Sequence, residues 1–269
     1  MFEQVKSIGF VGGGNMAEAI IKGLIEGGYP PANIAFFEPN KARRDLVQKK
    51  YGIAAAADNK ELVSRSEIVL LAVKPQVVQA VVGEMAPVFS DDNLLVSILA
   101  GVTTERLEVL LGGSPRVVRT MPNTPALVGA GAAALCSGKY AREDDLALAC
   151  SIFESLGAAK VVSEEQMDAV TGLSGSGPAY VYTIIEALAD GGVQQGLPRD
   201  VAHALAVQTV YGAAKMVKDT GSHPAALRDQ VCSPGGTTIS GVRALEDGGV
   251  RAALMAAVSA AAKRSRELG

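Results

Sequence analysis

The sequence predicts an α/β protein: a doubly wound sheet in the first part, then an all-helical domain. Three observations carry that prediction. Strand-like and helix-like segments alternate up to residue 163, a G-x-G-x-x-A turn marks their first junction, and from residue 164 onward the pattern is helical throughout. Repeated strand–helix units of this length build a parallel sheet. The change of pattern divides the chain into 1–163 and 164–269.

Residues 5–12, VKSIGFVG, read as a buried strand. In 15–28, NMAEAIIKGLIEGG, the apolar Ala17, Ile20, Ile21 and Leu24 recur at helical spacing, and Gly27-Gly28 stop the helix. NIAFFE (33–38) is a second strand, followed by a helix at 40–50, NKARRDLVQKK, with a basic outer face. ELVSRSEIVLLAVKP ends in the fourth strand at 68–73; NLLVSILAG (93–101) is the fifth and PRVVRTMPN (115–123) the sixth. Two short strands, GAGAAALC (129–136) and AAKVV (158–162), flank the helix EDDLALACSIFESLG at 143–157.

In the second part, GPAYVYTIIEALADGG (177–192) has Pro178 in its first turn and Gly191-Gly192 at its expected stop. The helix at 198–217 is apolar on nearly every side, which calls for burial in a core or against a second subunit. HPAALRDQVC (223–232), TTISGVRALEDGG (237–249) and VRAALMAAVSAAAKRSREL (250–268) complete the set. Faces that one chain leaves uncovered point to a dimerisation domain and a homodimer or higher homo-oligomer.

Composition narrows the class. With 48% hydrophobic and 20% charged residues the chain can build a real core, and with 4% aromatics and no Trp its packing falls to Ala, Val, Leu and Gly. A net charge of −3 lacks the basic excess that a nucleic-acid partner requires. Cys136, Cys150 and Cys232 form no CxxC pair, and His203 and His223 are the only histidines, so no metal site is expected and the thiols suit a reducing cytoplasm. No apolar run reaches the roughly 20 residues of a membrane span, and the start of the chain has no leader pattern. The expected location is cytoplasmic, with no membrane partner.

The glycines carry the first chemistry. G-x-G-x-x-A is met by Gly12, Gly14 and Ala17, after a strand and at the opening of a helix, the context that marks a dinucleotide site on a Rossmann-type sheet; the alternative is a turn whose glycines serve only chain reversal. Gly12 permits the tight turn, Gly14 lets a pyrophosphate reach the backbone, and the amides of Asn15 and Met16 face the anion from a helix N-terminus. Glu38, at the end of the second strand, has the position of an acid that binds the adenosine ribose and favours NADH. Lys41, Arg43 and Arg44 follow at once and either bind a 2′-phosphate or form a solvated helix face. Both NADPH and NADH stay open. AVKP (72–75) and LAG (99–101) end strands at the ligand-binding edge of such sheets, with Lys74 a phosphate or substrate contact or a surface residue. In MPNTP (121–125), Asn123 is a ligand or a turn residue. A second cluster, QVCSPGGTTISG (230–241), leads through Gly235 and Gly236 into Thr237 and Thr238 at a helix start, suited to a carboxylate or to capping by Ser or Thr. TGLSGSGPAY (171–180) poses the same choice.

LRDQVCSPGGTTISGVRALE resembles the C-terminal signature of the pyrroline-5-carboxylate reductase family, and VTGLSGSGPAYVY, GLPRDVAHALA, AVKPQ and VRTMPNTP resemble the same family in the same order along the whole chain. The resemblance implies an N-terminal Rossmann domain, an interlocking helical domain, and hydride transfer from NAD(P)H to the C=N carbon of a small imino acid, 1-pyrroline-5-carboxylate, giving L-proline. By motif, it implies Gly12, Gly14, Asn15 and Met16 at the pyrophosphate. Glu38, Asn40 and Asn59 would lie near the adenosine ribose, and Val73, Lys74, Pro75, Ala100, Gly101 and Asn123 on the nicotinamide side. Glu164, Gly236, Thr237 and Thr238 would bind substrate, with the Thr238 hydroxyl at the ring nitrogen as the catalytic group. The family mostly favours NADPH and has Ser or Asn-like residues where this chain has Glu38. Two other readings are an NAD(P)-dependent reductase of a hydroxy or keto acid, for which Lys74 would be the acid, and a non-catalytic NAD(P)-binding regulator.

Overall fold

The computed structural model describes residues 5–268. By compactness the chain forms two units, one running to Ser176 and resuming at Ala260, the other Gly177–Ser259. This division lies after residue 163 and returns the chain's last residues to the first unit.

The first unit holds an eight-stranded sheet in the order β3-β2-β1-β4-β5-β6-β7-β8. Its elements are β1 (Ile8–Val11), α1 (Asn15–Glu26), β2 (Ile34–Phe37), α2 (Lys41–Tyr51), β3 (Ala54–Ala55), α3 (Asn59–Ser64), β4 (Ile68–Leu71), α4 (Val78–Met85), β5 (Leu94–Ser97), α5 (Thr104–Leu111), β6 (Arg116–Met121), β7 (Gly131–Ser137), α6 (Glu143–Glu154), β8 (Gly157–Val161) and α7 (Met167–Val170). β1, β4 and β5 are buried along their whole length. Their side chains alternate between two cores: Ile68 and Leu70 join Phe10, Ile20 and Phe153 on one face, while Val69 and Leu71 join Val11, Val82 and Leu107 on the other. Each such buried aliphatic or aromatic side chain contributes roughly 1.5–3 kcal/mol over its exposed state.

The expected parallel sheet holds with one exception. β7 runs antiparallel to β6, with Thr120 opposite Leu135. The link from Met121 to Gly131 holds only a 3₁₀ turn, Thr124–Val128, too short for the crossover a parallel pair needs. β7 and β8 are parallel, with α6 as their crossover. At that pair Gly131 faces Gly157, whose φ is +148°, and a Cβ on Gly157 would lie 2.1 Å from the Gly131 carbonyl oxygen. Gly157→Ala is therefore expected to cost about 1–3 kcal/mol of stability, read from a denaturant midpoint; an unchanged midpoint would count against this close backbone approach.

α7 passes into a π-helical turn, Thr171–Gly175. The second unit contains α8 (Gly177–Gln194), α9 (Arg199–Thr220), α10 (Pro224–Gln230), α11 (Thr237–Asp247) and the first part of α12 (Val250–Leu268). α8 does not stop at Gly191-Gly192: it runs to Gln194 and the chain reverses at Gly196, φ +97°. Gly192 serves packing instead, because a Cβ there would approach that of Ala202 on α9 to 3.2 Å. In α9 only Ala202 and Ala206 are buried, and Leu205, Tyr211 and Met216 are more than half exposed. The chain's own core therefore does not cover the apolar surface of this helix. The end of α12 belongs to the first unit, where the Ser265 hydroxyl donates to the Asp168 carboxylate at 2.6 Å.

Candidate active site

A cleft of about 870 Å³ opens at the carboxyl edge of β1, β2 and β4. Gly12, Gly14, Glu38, Asn59, Val73 and Lys74 meet in its walls. Gly12 follows β1 with φ +99°, and a Cβ there would lie 2.7 Å from the Ala72 carbonyl, so only glycine lets the chain turn this close to the end of β4. Gly14 is the N-cap of α1, exposed, with nothing within 4 Å of where a Cβ would stand. That open space, under the unshared amides of a helix's first turn, suits a pyrophosphate.

Glu38 follows β2. One carboxylate oxygen accepts from the Gly13 amide at 2.9 Å, the other from the Asn40 amide at 2.9 Å. Asn40 caps α2, its side-chain oxygen accepting from the Arg43 amide at 3.0 Å. Asn59 is buried at the start of α3. Its amide nitrogen donates to Glu84 at 2.8 Å, while its Oδ1 has no partner among the described residues. A buried acceptor in the cleft wall without a donor suits a cofactor hydroxyl or amine.

Asn15, Met16, Asn40, Pro75, Ala100, Gly101 and Asn123 are not in the walls of this cleft. Met16 packs against the first core, Pro75 opens a 3₁₀ turn, and Ala100 and Gly101 follow β5, Gly101 with φ +72°. Asn123, after β6, accepts from the Ala132 amide at 2.9 Å and donates to the Ser174 carbonyl at 3.3 Å. Its carboxamide thus ties the π-helical turn to the sheet edge.

Glu164 sits in a second polar cluster of the same unit. Its carboxylate accepts from Arg119, from the Thr104 hydroxyl at 2.8 Å and amide at 3.3 Å, and from the Cys136 thiol at 3.4 Å. Burial alone would raise its pKa, but the bonds from Thr104 and Arg119 outweigh burial and hold it below the usual range. The Cys136 thiol, buried beside that carboxylate, is pushed up to about 12 and stays protonated.

In the second unit, Ser233–Gly236 makes a tight turn into α11. The Gly236 amide donates to the Ser233 carbonyl at 3.0 Å, and Gly235 has φ +66°. Gly236 is the N-cap, and no side chain caps the helix. Thr237 and Thr238, both exposed, are its first two residues. Capping by Ser or Thr is therefore not the use of this cluster.

Residues 164–268 match the family described as pyrroline-5-carboxylate reductase dimerisation, and residues 7–101 match NADP oxidoreductase, coenzyme F420-dependent. A pyrroline-5-carboxylate reductase from Synechocystis is 51% identical over 265 residues, 97% of this chain and 98% of its own. The chain belongs to the pyrroline-5-carboxylate reductase family. The Escherichia coli pyrroline-5-carboxylate reductase is 43% identical, over 98% of each chain. Among solved structures, a pyrroline-5-carboxylate reductase from Coxiella burnetii superposes with a TM-score of 0.94 at 40% identity, covering 99% of each chain. Pyrroline carboxylate reductase from Plasmodium falciparum, with NADP bound, gives 0.88 at 35%, covering 98% of each.

For this reductase, sequence reasoning missed Asp58, Lys60, Val77 and Glu84 in the cleft wall. Asp58 had a readable signal: it is the N-cap of α3, its side chain accepting from the Glu61 amide at 2.8 Å. The D-x-x-E pattern marks such a start. Arg119 had none, since one arginine inside an apolar strand reads like any strand end.

Proposed function

We propose that this chain reduces 1-pyrroline-5-carboxylate to L-proline, the last step of proline biosynthesis, with NAD(P)H as reductant. The observation that carries the reading is a dinucleotide cleft at the sheet's carboxyl edge in a chain that matches these reductases from end to end. The open Gly14 turn and the partnerless Asn59 oxygen fit the cofactor. Gly12, Gly14 and the first-turn amides of Asn15 and Met16 hold its pyrophosphate; Glu38, Asn40 and Asn59 serve the adenosine end. Val73, Lys74, Pro75, Ala100 and Gly101 border the nicotinamide end, and Asn123 braces it through the Ser174 turn. When bound, NAD(P)H supplies a hydride to the imine carbon.

A protonated cyclic imine is already electrophilic, so the chain's work is positioning. The uncapped N-terminus of α11 at Gly236, Thr237 and Thr238 suits the substrate carboxylate, since first-turn amides and the helix dipole favour an anion. Thr237 contributes its amide. The Thr238 hydroxyl bonds the ring nitrogen and orients it. Glu164, held ionised by Thr104 and Arg119, is a substrate contact in this reading and not a proton donor.

The helical part from 164 pairs with a second copy. Its match to a dimerisation family and the exposed Leu205, Tyr211 and Met216 support a homodimer or larger assembly. Three free thiols suit a reducing cytoplasm, and among the described residues no helix is long and apolar enough to cross a membrane.

The test follows NAD(P)H absorbance with 1-pyrroline-5-carboxylate, then with hydroxy and keto acids. Oxidation with the imino acid is expected, by a species that sediments as a dimer or larger. Turnover with the oxygen analogues alone, or with none, would overturn the reading.

A further inference from the structure

The adenosine end of the cleft carries a charge arrangement with a consequence for cofactor choice. Glu38 is held in place by the backbone, its two oxygens each accepting one amide, Gly13 at 2.9 Å and Asn40 at 2.9 Å. An ionised carboxylate has about four lone-pair sites. Two are used, and the remaining two can accept from a ribose diol. A 2′-phosphate carries close to two negative charges at neutral pH and offers almost no proton to donate. Set beside Glu38 it brings acceptor against acceptor and anion against anion, and Asp58 lines the same cleft.

Of the bases that would offset this, the two arginines are already engaged. The Arg43 guanidinium donates to the Gly13 carbonyl at 2.6 Å and to Glu18 at 2.6 Å. Glu18 also accepts from Lys50 at 2.7 Å and from Tyr51 at 2.9 Å. Burial works against the Glu18 anion, yet these three donors outweigh it and hold its pKa at about 2, so it stays a firm partner for Arg43. Arg44 donates to the Glu38 carbonyl at 3.1 Å. Lys41 is left on the exposed first turn of α2, where water screens most of its attraction.

We propose that this chain selects NADH over NADPH, with Glu38 as the determinant and the Glu18–Arg43 pair as the device that withholds Arg43 from a 2′-phosphate. The proposal rests on the cleft being the cofactor site. Its effect lies in binding as well as turnover, so it is read without substrate.

The experiment titrates the purified protein with NADH and, separately, with NADPH, by calorimetry or nicotinamide fluorescence. NADH is expected to bind about tenfold or more tightly, the scale of one charge-assisted hydrogen bond. Glu38→Gln keeps an acceptor for Gly13 but loses the charge, and should bring the two affinities within roughly threefold of each other. Glu38→Ser should invert the preference. Adding Glu18→Gln to Glu38→Ser should move the ratio further toward NADPH as Arg43 is released. Equal or tighter binding of NADPH to the wild type, or an unchanged ratio in both Glu38 variants, would overturn the preference while leaving the reductase reading intact. An unchanged ratio on adding Glu18→Gln would overturn the part given to Glu18. Binding of neither nucleotide would overturn the cofactor site itself.

Discussion

Thr238→Ala is expected to lower kcat by roughly 10²-fold, the range of a positioned proton-transfer group, with KM changed far less. The reasoning starts from what the hydroxyl does not do. α11 has Gly236 as its N-cap and no side-chain cap, so the hydroxyl is not consumed in stabilising the helix. Thr238 is also exposed in the chain, so removing it costs little packing. A thermal midpoint close to wild type is therefore expected beside the lost turnover. Thr238→Ser keeps the hydroxyl and should recover most of the rate. Thr237→Ala should lose only a few-fold, because the amide contributed there is unaffected by the side chain. Activity of Thr238→Ala within about twofold of wild type would remove this residue from the mechanism.

The sheet was legible because its signals are local. Strand ends, Gly-rich turns and helical spacing each lie within a dozen residues, and β1, β2, β4, β5 and β6 fall where periodicity puts them, whereas the two-residue β3 is too short to leave a periodic signal. The reversal of β7 follows from the short link after Met121, which was visible but outvoted by the repeating pattern. Gly191-Gly192 misled for a physical reason: a glycine inside a helix that lets a neighbour approach looks, in sequence, like a glycine that ends one. In the cleft, Gly12, Gly14 and Glu38 were readable from motif spacing. What Glu38 and Arg43 bond to was not, because the Arg43–Glu18 pair and the Glu38–Gly13 bond each join residues 25 positions apart. Asn123 was read as ligand or turn residue, and its carboxamide has partners in both Ala132 and Ser174. Long-range polar pairing leaves no periodic trace.

Arg119→Met is the substitution expected to cost most in stability, about 3–5 kcal/mol at neutral pH, the penalty for removing one partner of a buried ion pair. Arg119 is 3% exposed in the middle of the sheet, between Ser97 of β5 and Cys136 of β7. It donates to Glu164, while its Nε and its other terminal nitrogen have no partner among the described residues. The pair therefore carries a high desolvation cost, and Glu164 without Arg119 would be a half-buried anion held only by neutral donors, Thr104 and the Cys136 thiol. The pH dependence gives the sharper test. In the wild type the folded pKa of Glu164 is lowered, so its contribution to stability is full above the unfolded carboxylate value of about 4.3 and is lost as pH falls through the folded value. Without the arginine, two of the causes that oppose burial are gone, and the folded pKa moves up from its wild-type position. The stability that Glu164 contributes at neutral pH shrinks accordingly. The gap in unfolding free energy between Arg119→Met and wild type should accordingly narrow between pH 7 and pH 4.5. Glu164→Gln added to Arg119→Met should recover part of the loss at pH 7, where the stranded charge does its damage, and little at pH 4.5. A gap that is the same at both pH values would show that the arginine acts through packing alone and does not hold the Glu164 pKa down.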